Sequence, residues 1–139
     1  MTEGFRYARR VHFHETDLAG VVHFSCFFRY MEEAEHALWR AAGMSIDRAG
    51  AEVGWPRVAT TFDFRSPLRF DDEFEIVVRV AKVTKSTVQY EFTFSREETD
   101  IGSGTLTAAC ASRSNGQMRA IPVPADVIDR LRTASHQIG

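Results

Sequence analysis

Residues 15–43 read ETDLAGVVHFSCFFRYMEEAEHALWRAAG, a glycine-containing loop that runs into a long amphipathic helix. Phe27, Tyr30, Met31, Ala34, Leu38 and Ala41 recur in steps of three and four, the spacing of one helical face. Glu32, Glu33, Glu35 and Arg40 fall mostly on the other side, so the glutamates read as a solvated face. Ser25 is placed to cap this helix and Gly43 to stop it. Cys26 reads as a small packing residue, because no nucleophile-elbow pattern accompanies Ser25 or Cys26.

Outward from the helix the period changes to two. Upstream, Phe5, Tyr7, Val11 and Phe13 alternate with Arg6, Arg10, His12 and His14, which predicts a half-buried strand over residues 5–14. Downstream, a short helical piece is expected near Ile46 to Glu52. Strands follow through Val58, Phe62 and Phe64 (ended by Pro67), through Phe74 to Val80, through Val88 to Phe94, and from about Gly102 to Arg113. Thr84-Lys85-Ser86 is a tight connection, and Asn115-Gly116 is a hairpin signal before an edge segment around Met118 to Ile121. Pro124 opens a final short helix with Val127, Ile128 and Leu131.

Short connections require antiparallel neighbours, and only one long helix is available to cover the sheet. The expected fold is therefore α+β, a curved antiparallel sheet wrapped around one long central helix. The 139 residues form one domain, without linker or repeat. Apolar residues make up 44% and charged residues 26%, which excludes a disordered chain. A net charge of -2 gives no reason to expect nucleic acid or an anionic membrane as partner. Cys26 and Cys110, the only cysteines, form neither a disulfide framework nor a metal-spacing pattern. With no signal-like or membrane-length apolar run, the cytoplasm is the expected compartment. Apolar surface left on the outer side of the sheet predicts a homodimer or homotetramer.

The loop before the helix carries the chemistry. A helix N-terminus presents unpaired backbone N–H groups and the positive end of a dipole, so it can polarise a carbonyl oxygen. Asp17, a few residues upstream, can reach the other side of that carbonyl as nucleophile or general base, and Gly20 permits close backbone approach. On the residues alone, Asp17 serves equally as the cap of a turn and Gly20 as its geometry.

The core of this loop, Glu15-Thr16-Asp17 with Ala19-Gly20-Val21-Val22, leads into Phe28-Arg29-Tyr30-Met31-Glu32-Glu33-Ala34. It resembles the opening of the 4-hydroxybenzoyl-CoA thioesterase family, relatives of which include the short-chain acyl-CoA thioesterases of the Tol-Pal system. The resemblance continues through Gly54-Trp55-Pro56, Ser66-Pro67-Leu68, Asp71-Asp72 and Lys85-Ser86 to the run from Arg119 to Asp126. It implies a hotdog fold and hydrolysis of an acyl-CoA thioester, with an aromatic or short-chain acyl group. No metal or separate cofactor is implied, since coenzyme A is part of the substrate. Carried over by position, Asp17 is the catalytic carboxylate and the Phe24 backbone N–H, near Gly20, polarises the carbonyl.

The chain departs from the family at His23-Phe24, where many relatives carry Tyr-His; His23 then lies one place early, and Phe24 leans toward an aromatic acyl pocket. Phe27, Tyr30 and Trp55 are expected along the acyl pocket, with both tryptophans also able to serve as packing residues. Lys85, with Lys82 and Arg113, is expected at the phosphates of the nucleotide, and Arg65 and Arg69 are weaker candidates. Two other readings stay open on the sequence. One is a hydratase or dehydratase using a histidine (His12, His14, His23 or His36) with an acid across a dimer. The other is a non-catalytic acyl-CoA-binding domain.

Overall fold

The computed structural model describes residues 3–46, 52–114 and 116–136. Eight strands and two helices succeed one another as β1 (Phe5–Arg10), α1 (Cys26–Ala41), β2 (Val53–Gly54), β3 (Arg57–Phe64), β4 (Glu73–Val83), β5 (Thr87–Arg96), β6 (Thr99–Ala109), β7 (Ala111–Ser114), β8 (Gln117–Ala120) and α2 (Ala125–Ser135). The main sheet runs in the order β1-β4-β5-β6-β3, with every neighbour antiparallel, and β2-β7-β8 form a small second sheet. This is the α+β hotdog architecture, with α1 lying across one face. Among the described residues, no helix is long and apolar enough to cross a membrane.

Alternation builds the inner face. Val88, Tyr90, Phe92 and Phe94 of β5 are all buried, as are Phe74, Ile76 and Val78 of β4. Register shifts at Val80/Lys82 and Phe94/Ser95 bend the long strands around the helix. The helix contributes Phe27, Tyr30, Met31, Ala34 and Leu38, all buried. Phe27 meets Phe62 at 4.9 Å and Phe94 at 5.8 Å, and Tyr30 meets Phe74 at 5.0 Å, giving one connected aromatic cluster. Close seating depends on Gly104 of β6. A Cβ there would lie 2.6 Å from Met31 Sδ and 2.6 Å from the Thr61 carbonyl oxygen.

Several expectations are corrected. The first strand stops at Arg10: Val11 pairs with the β3–β4 connection and Phe13–Glu15 form a 3-10 turn. Phe13, expected inside, is 74% exposed and meets Phe70 edge-on at 5.7 Å. The strand expected over 102–113 breaks at Cys110, whose N–H donates to the Ser86 carbonyl, so β6 and β7 belong to different sheets. Ala41 is exposed, and Trp39 takes the inward position, its indole N–H donating to the Tyr90 hydroxyl at 3.0 Å. The helical piece expected near 46–52 and Asn115 of the β7–β8 turn lie outside the described residues, save its ends Ile46 and Glu52.

The largest correction concerns the glutamates. Glu35 is fully buried and forms a two-pronged ion pair with Arg57, whose Nη1 donates to Oε2 at 3.0 Å. Its place was readable: it sits four residues after Met31 and three before Leu38, on the apolar stripe. Glu32 stays exposed and joins the same guanidinium at 3.1 Å. Glu33 is half-buried against Arg9 and Tyr7. Burial pushes the Glu35 carboxyl up, with Arg57 pulling against it.

Removing one partner of such a pair leaves a buried charge unmatched. Arg57→Met is expected to lower unfolding stability by about 3 kcal/mol, and Glu35→Leu/Arg57→Met to recover most of the loss. Urea denaturation at one fixed protein concentration checks this, and a double variant as unstable as the single would contradict it.

Candidate active site

The loop between β1 and α1 is a small hairpin. Thr16 bridges Val22, the Asp17 N–H donates to the Val21 carbonyl at 2.9 Å, and the Gly20 N–H donates to the Asp17 carbonyl at 2.9 Å. The turn over residues 17–20 needs a left-handed residue at its end, which Gly20 supplies with φ +79. Its surroundings are open, with nothing within 4 Å of a Cβ built there, so within one chain Gly20 serves the turn and not a close approach. Val21 bridges Arg69 and the Val22 N–H donates to Leu68, fixing the hairpin to the β3–β4 connection.

Asp17 lies exposed at the tip of this turn, and its Oδ1 accepts the Ala19 N–H at 2.9 Å. The other carboxylate oxygen has no hydrogen bond or ion pair among the described residues. The loop closes where the His23 N–H donates to the Glu15 carbonyl at 2.9 Å, which puts Phe24 next, two residues before Cys26 opens α1. The Phe24 N–H has no acceptor among the described residues, while the carbonyl of Phe24 accepts the Phe27 N–H at 3.3 Å. Asp17, Gly20 and the Phe24 N–H thus share one stapled segment. Phe24 itself is 62% exposed, and Leu18 and Phe64 add more apolar surface at this end.

The cap expected of Ser25 is supplied by His23. The Ser25 side chain makes no cap; instead His23 Nδ1 accepts the Ser25 N–H at 3.2 Å and pairs with its hydroxyl at 2.8 Å. The imidazole is therefore folded against the helix start beside the Phe24 ring, with centroids 4.7 Å apart. The thiol of Cys26 points at the Glu15 carbonyl (3.6 Å), and burial pushes its pKa up, away from a reactive thiolate.

Phe27 and Tyr30 sit inside the core, and the Tyr30 hydroxyl donates to Glu15 Oε1 at 2.9 Å. Glu15 itself is buried, which the sequence did not single out. Its Oε1 accepts the His12 N–H at 2.8 Å and Arg9 Nη1 at 2.8 Å, and its Oε2 accepts Arg9 Nη2 at 2.6 Å. Ligand atoms of His12, His14 and Glu15 lie within 4.8 Å of one another, the one such metal-like group among the described residues. The carboxylate in it is already bound to Arg9, so a cation there would have to displace an ion pair.

The remaining site candidates lie elsewhere. Trp55 is half-buried, meets Trp39 at 5.2 Å, and lines a groove of about 580 Å³ beside Met44, Val53 and Val127. Arg113 lines a neighbouring groove of about 290 Å³ with Trp55, His36 and Arg57. Lys82 and Lys85 are exposed near the β4–β5 turn, which is tied to this region by the Cys110–Ser86 and Val123–Lys85 hydrogen bonds. All of these stand at the end of the sheet where β4 finishes, whereas Asp17 stands where β4 begins. An eleven-residue strand separates them, roughly 35 Å at the usual rise. One chain does not bring the two groups together. Arg65 pairs with Asp100 at 2.6 Å, and Arg69 lies under the hairpin.

Comparison with known proteins gives a consistent result. A model of the thioesterase-like superfamily matches residues 11–131. A relative in Aquifex aeolicus (strain VF5), named only to the level of an esterase, is 30% identical over 131 residues, covering 92% of this chain and 98% of its own length. A 1,4-dihydroxy-2-naphthoyl-CoA hydrolase of Synechococcus sp. (strain CC9311) is 29% identical over 128 residues, with 86% and 84% covered. Among solved structures, a gentisyl-coenzyme A thioesterase has a TM-score of 0.81 at 26% identity, covering 91% of this chain and 98% of that one. The matched region takes in the Asp17 hairpin, α1 and every strand of the main sheet except β1, and the chain belongs to the thioesterase-like superfamily.

Proposed function

We propose that this protein hydrolyses acyl-CoA thioesters, with Asp17 as the catalytic carboxylate. The observation that carries this reading is the pairing of an exposed carboxylate with an unclaimed N–H at a helix start, on one stapled loop. The substrate carbonyl oxygen accepts the Phe24 N–H, where the α1 dipole also favours negative charge. The Asp17 carboxylate either deprotonates a water that attacks the carbonyl carbon, or attacks that carbon itself, in which case a water then hydrolyses the resulting mixed anhydride to release the acid and restore the carboxylate. Coenzyme A departs as a thiolate, a good leaving group near neutral pH, so no acid is needed behind it. The acyl group is aromatic. The names of two relatives support this, one for a naphthoyl and one for a gentisyl thioester. The exposed Phe24 offers such a ring an apolar face.

The working unit is a dimer formed through β3. This strand is an edge of the main sheet, with Val58 and Phe64 exposed along it. Antiparallel pairing of two copies of β3 sets the Arg57 end of one beside the Phe64 end of the other. The Asp17 end of each chain then faces the Lys82, Lys85 and Arg113 end of its partner, as a long, phosphate-bearing substrate requires.

Thiol release from 1,4-dihydroxy-2-naphthoyl-, 4-hydroxybenzoyl-, benzoyl- and short-chain acyl-CoA tests the chemistry. Asp17→Asn is expected to lower kcat at least about 10²-fold; unchanged turnover would remove Asp17 from the mechanism, and binding without release would mark a carrier domain. For the dimer, Val58→Asp is expected to give a monomer in sedimentation with little turnover. Lys82→Ala/Lys85→Ala should raise KM several-fold at unchanged kcat, less so at high salt. An active monomer would refute the shared site.

A further inference from the structure

Arg9 is the hub of a part-buried ionic network next to the Asp17 hairpin. Its guanidinium packs over the Tyr30 ring at 4.9 Å and bridges two carboxylates. One is Glu33 of α1, bonded at 2.9 and 3.0 Å and also accepting the Tyr7 hydroxyl. The other is Glu15. The Glu33 arm ties β1 to α1; the Glu15 arm makes a second tie, to Tyr30 of α1, and it alone also reaches into the loop.

That reach has two parts. The Glu15 side chain is held by Arg9, Tyr30 and the His12 N–H, and the carbonyl of the same residue accepts the His23 N–H at 2.9 Å and the Cys26 thiol at 3.6 Å. Asp17 follows Glu15 by two residues and Phe24 follows His23 by one. One residue therefore fixes both sides of the loop to a rigid base. We propose that Glu15 is a positioning residue: anchored by Arg9 and Tyr30, it sets the distance between the Asp17 carboxylate and the Phe24 N–H. The inference rests on the catalytic reading of Asp17. Errors of about 1 Å in such a pair cost on the order of 10²-fold in rate, so the effect belongs in kcat and not in substrate affinity.

The test compares Glu15→Gln with Glu33→Gln and Asp17→Asn in the full chain. Gln is isosteric but turns an amide donor toward Arg9, so the anchor breaks while the volume stays. Glu15→Gln is expected to lower kcat roughly 10- to 100-fold with KM changed less than about threefold, and to speed amide exchange over residues 16–24. Glu33→Gln, which breaks only the helix arm, should lose stability yet keep kcat within about threefold and leave that exchange unchanged. If Glu15→Gln falls no further in kcat than Glu33→Gln while Asp17→Asn is inactive, the positioning role is overturned and the catalytic reading survives. An active Asp17→Asn overturns both. Should Glu15→Gln fail to fold, Tyr30→Phe removes a single bond from Glu15. A kcat loss of at least threefold at unchanged KM then supports the anchor, and an unaltered kcat overturns it.

Discussion

The seating of α1 on the main sheet is the constraint from which the other features follow. Gly104 lets Met31 come down onto β6, and around that contact Phe27, Tyr30, Phe62, Phe74 and Phe94 close into one aromatic cluster. Side chains packed at this density leave α1 little room to slide, since any shift would open voids along its whole length. The N-terminus of a sixteen-residue helix is thereby held in place relative to the sheet edge that carries the Asp17 hairpin. A backbone N–H can act on a developing charge only if it does not have to reorganise, and this packing supplies that rigidity.

The same seating separates the molecule into two ends with different chemistry. At the start of β4 lie the hairpin, the unclaimed Phe24 N–H and the exposed rings of Phe13, Phe24, Phe64 and Phe70. At its far end lie Trp55 and Arg113, which line two neighbouring grooves, and the exposed Lys82 and Lys85. Nothing in a single chain spans them. Under the proposed hydrolysis, the reactive end and the phosphate-binding end come from different subunits, and the exposed β3 edge between them is the element that joins two copies.

Much of this was written locally in the sequence. β5 was legible because its alternation is complete and one face is fully buried, so Val88, Tyr90, Phe92 and Phe94 each obey a period of two. The α1 stripe was legible for the same reason at a period near 3.6. Where the reading failed, a contact between distant elements decided the outcome. β1 ends early because residues 12–15 turn to put Glu15 beneath Arg9, and no local pattern marks that turn. Grouping Glu35 with Glu32 and Glu33 on the face away from the apolar stripe fails, since its spacing from Met31 and Leu38 places it inside; Arg57, twenty-two residues on, is what pairs a carboxylate there. The roles proposed for Asp17 and the Phe24 N–H come from the family resemblance. Physics alone would have left Asp17 as a turn residue, and its Oδ1 does in fact hold the Ala19 N–H.

The two buried glutamates show why one network belongs to the loop and the other to the core. Burial pushes the Glu15 carboxyl up as well, but Arg9, the His12 N–H and the Tyr30 hydroxyl together outweigh it and hold the group below the usual carboxylate range. Glu35 has the stronger desolvation and fewer donors, so its balance runs the other way and its carboxyl is raised. A carboxylate kept ionised by three separate elements is a fixed joint, because moving any one of β1, the 3-10 turn or α1 would break charge-assisted hydrogen bonds. A carboxyl sharing its burial cost with a half-exposed arginine fixes mainly that arginine. The joint therefore stands two residues from Asp17, where the proposed hydrolysis needs precision, and the Glu35–Arg57 pair stands in the middle of α1, against β3.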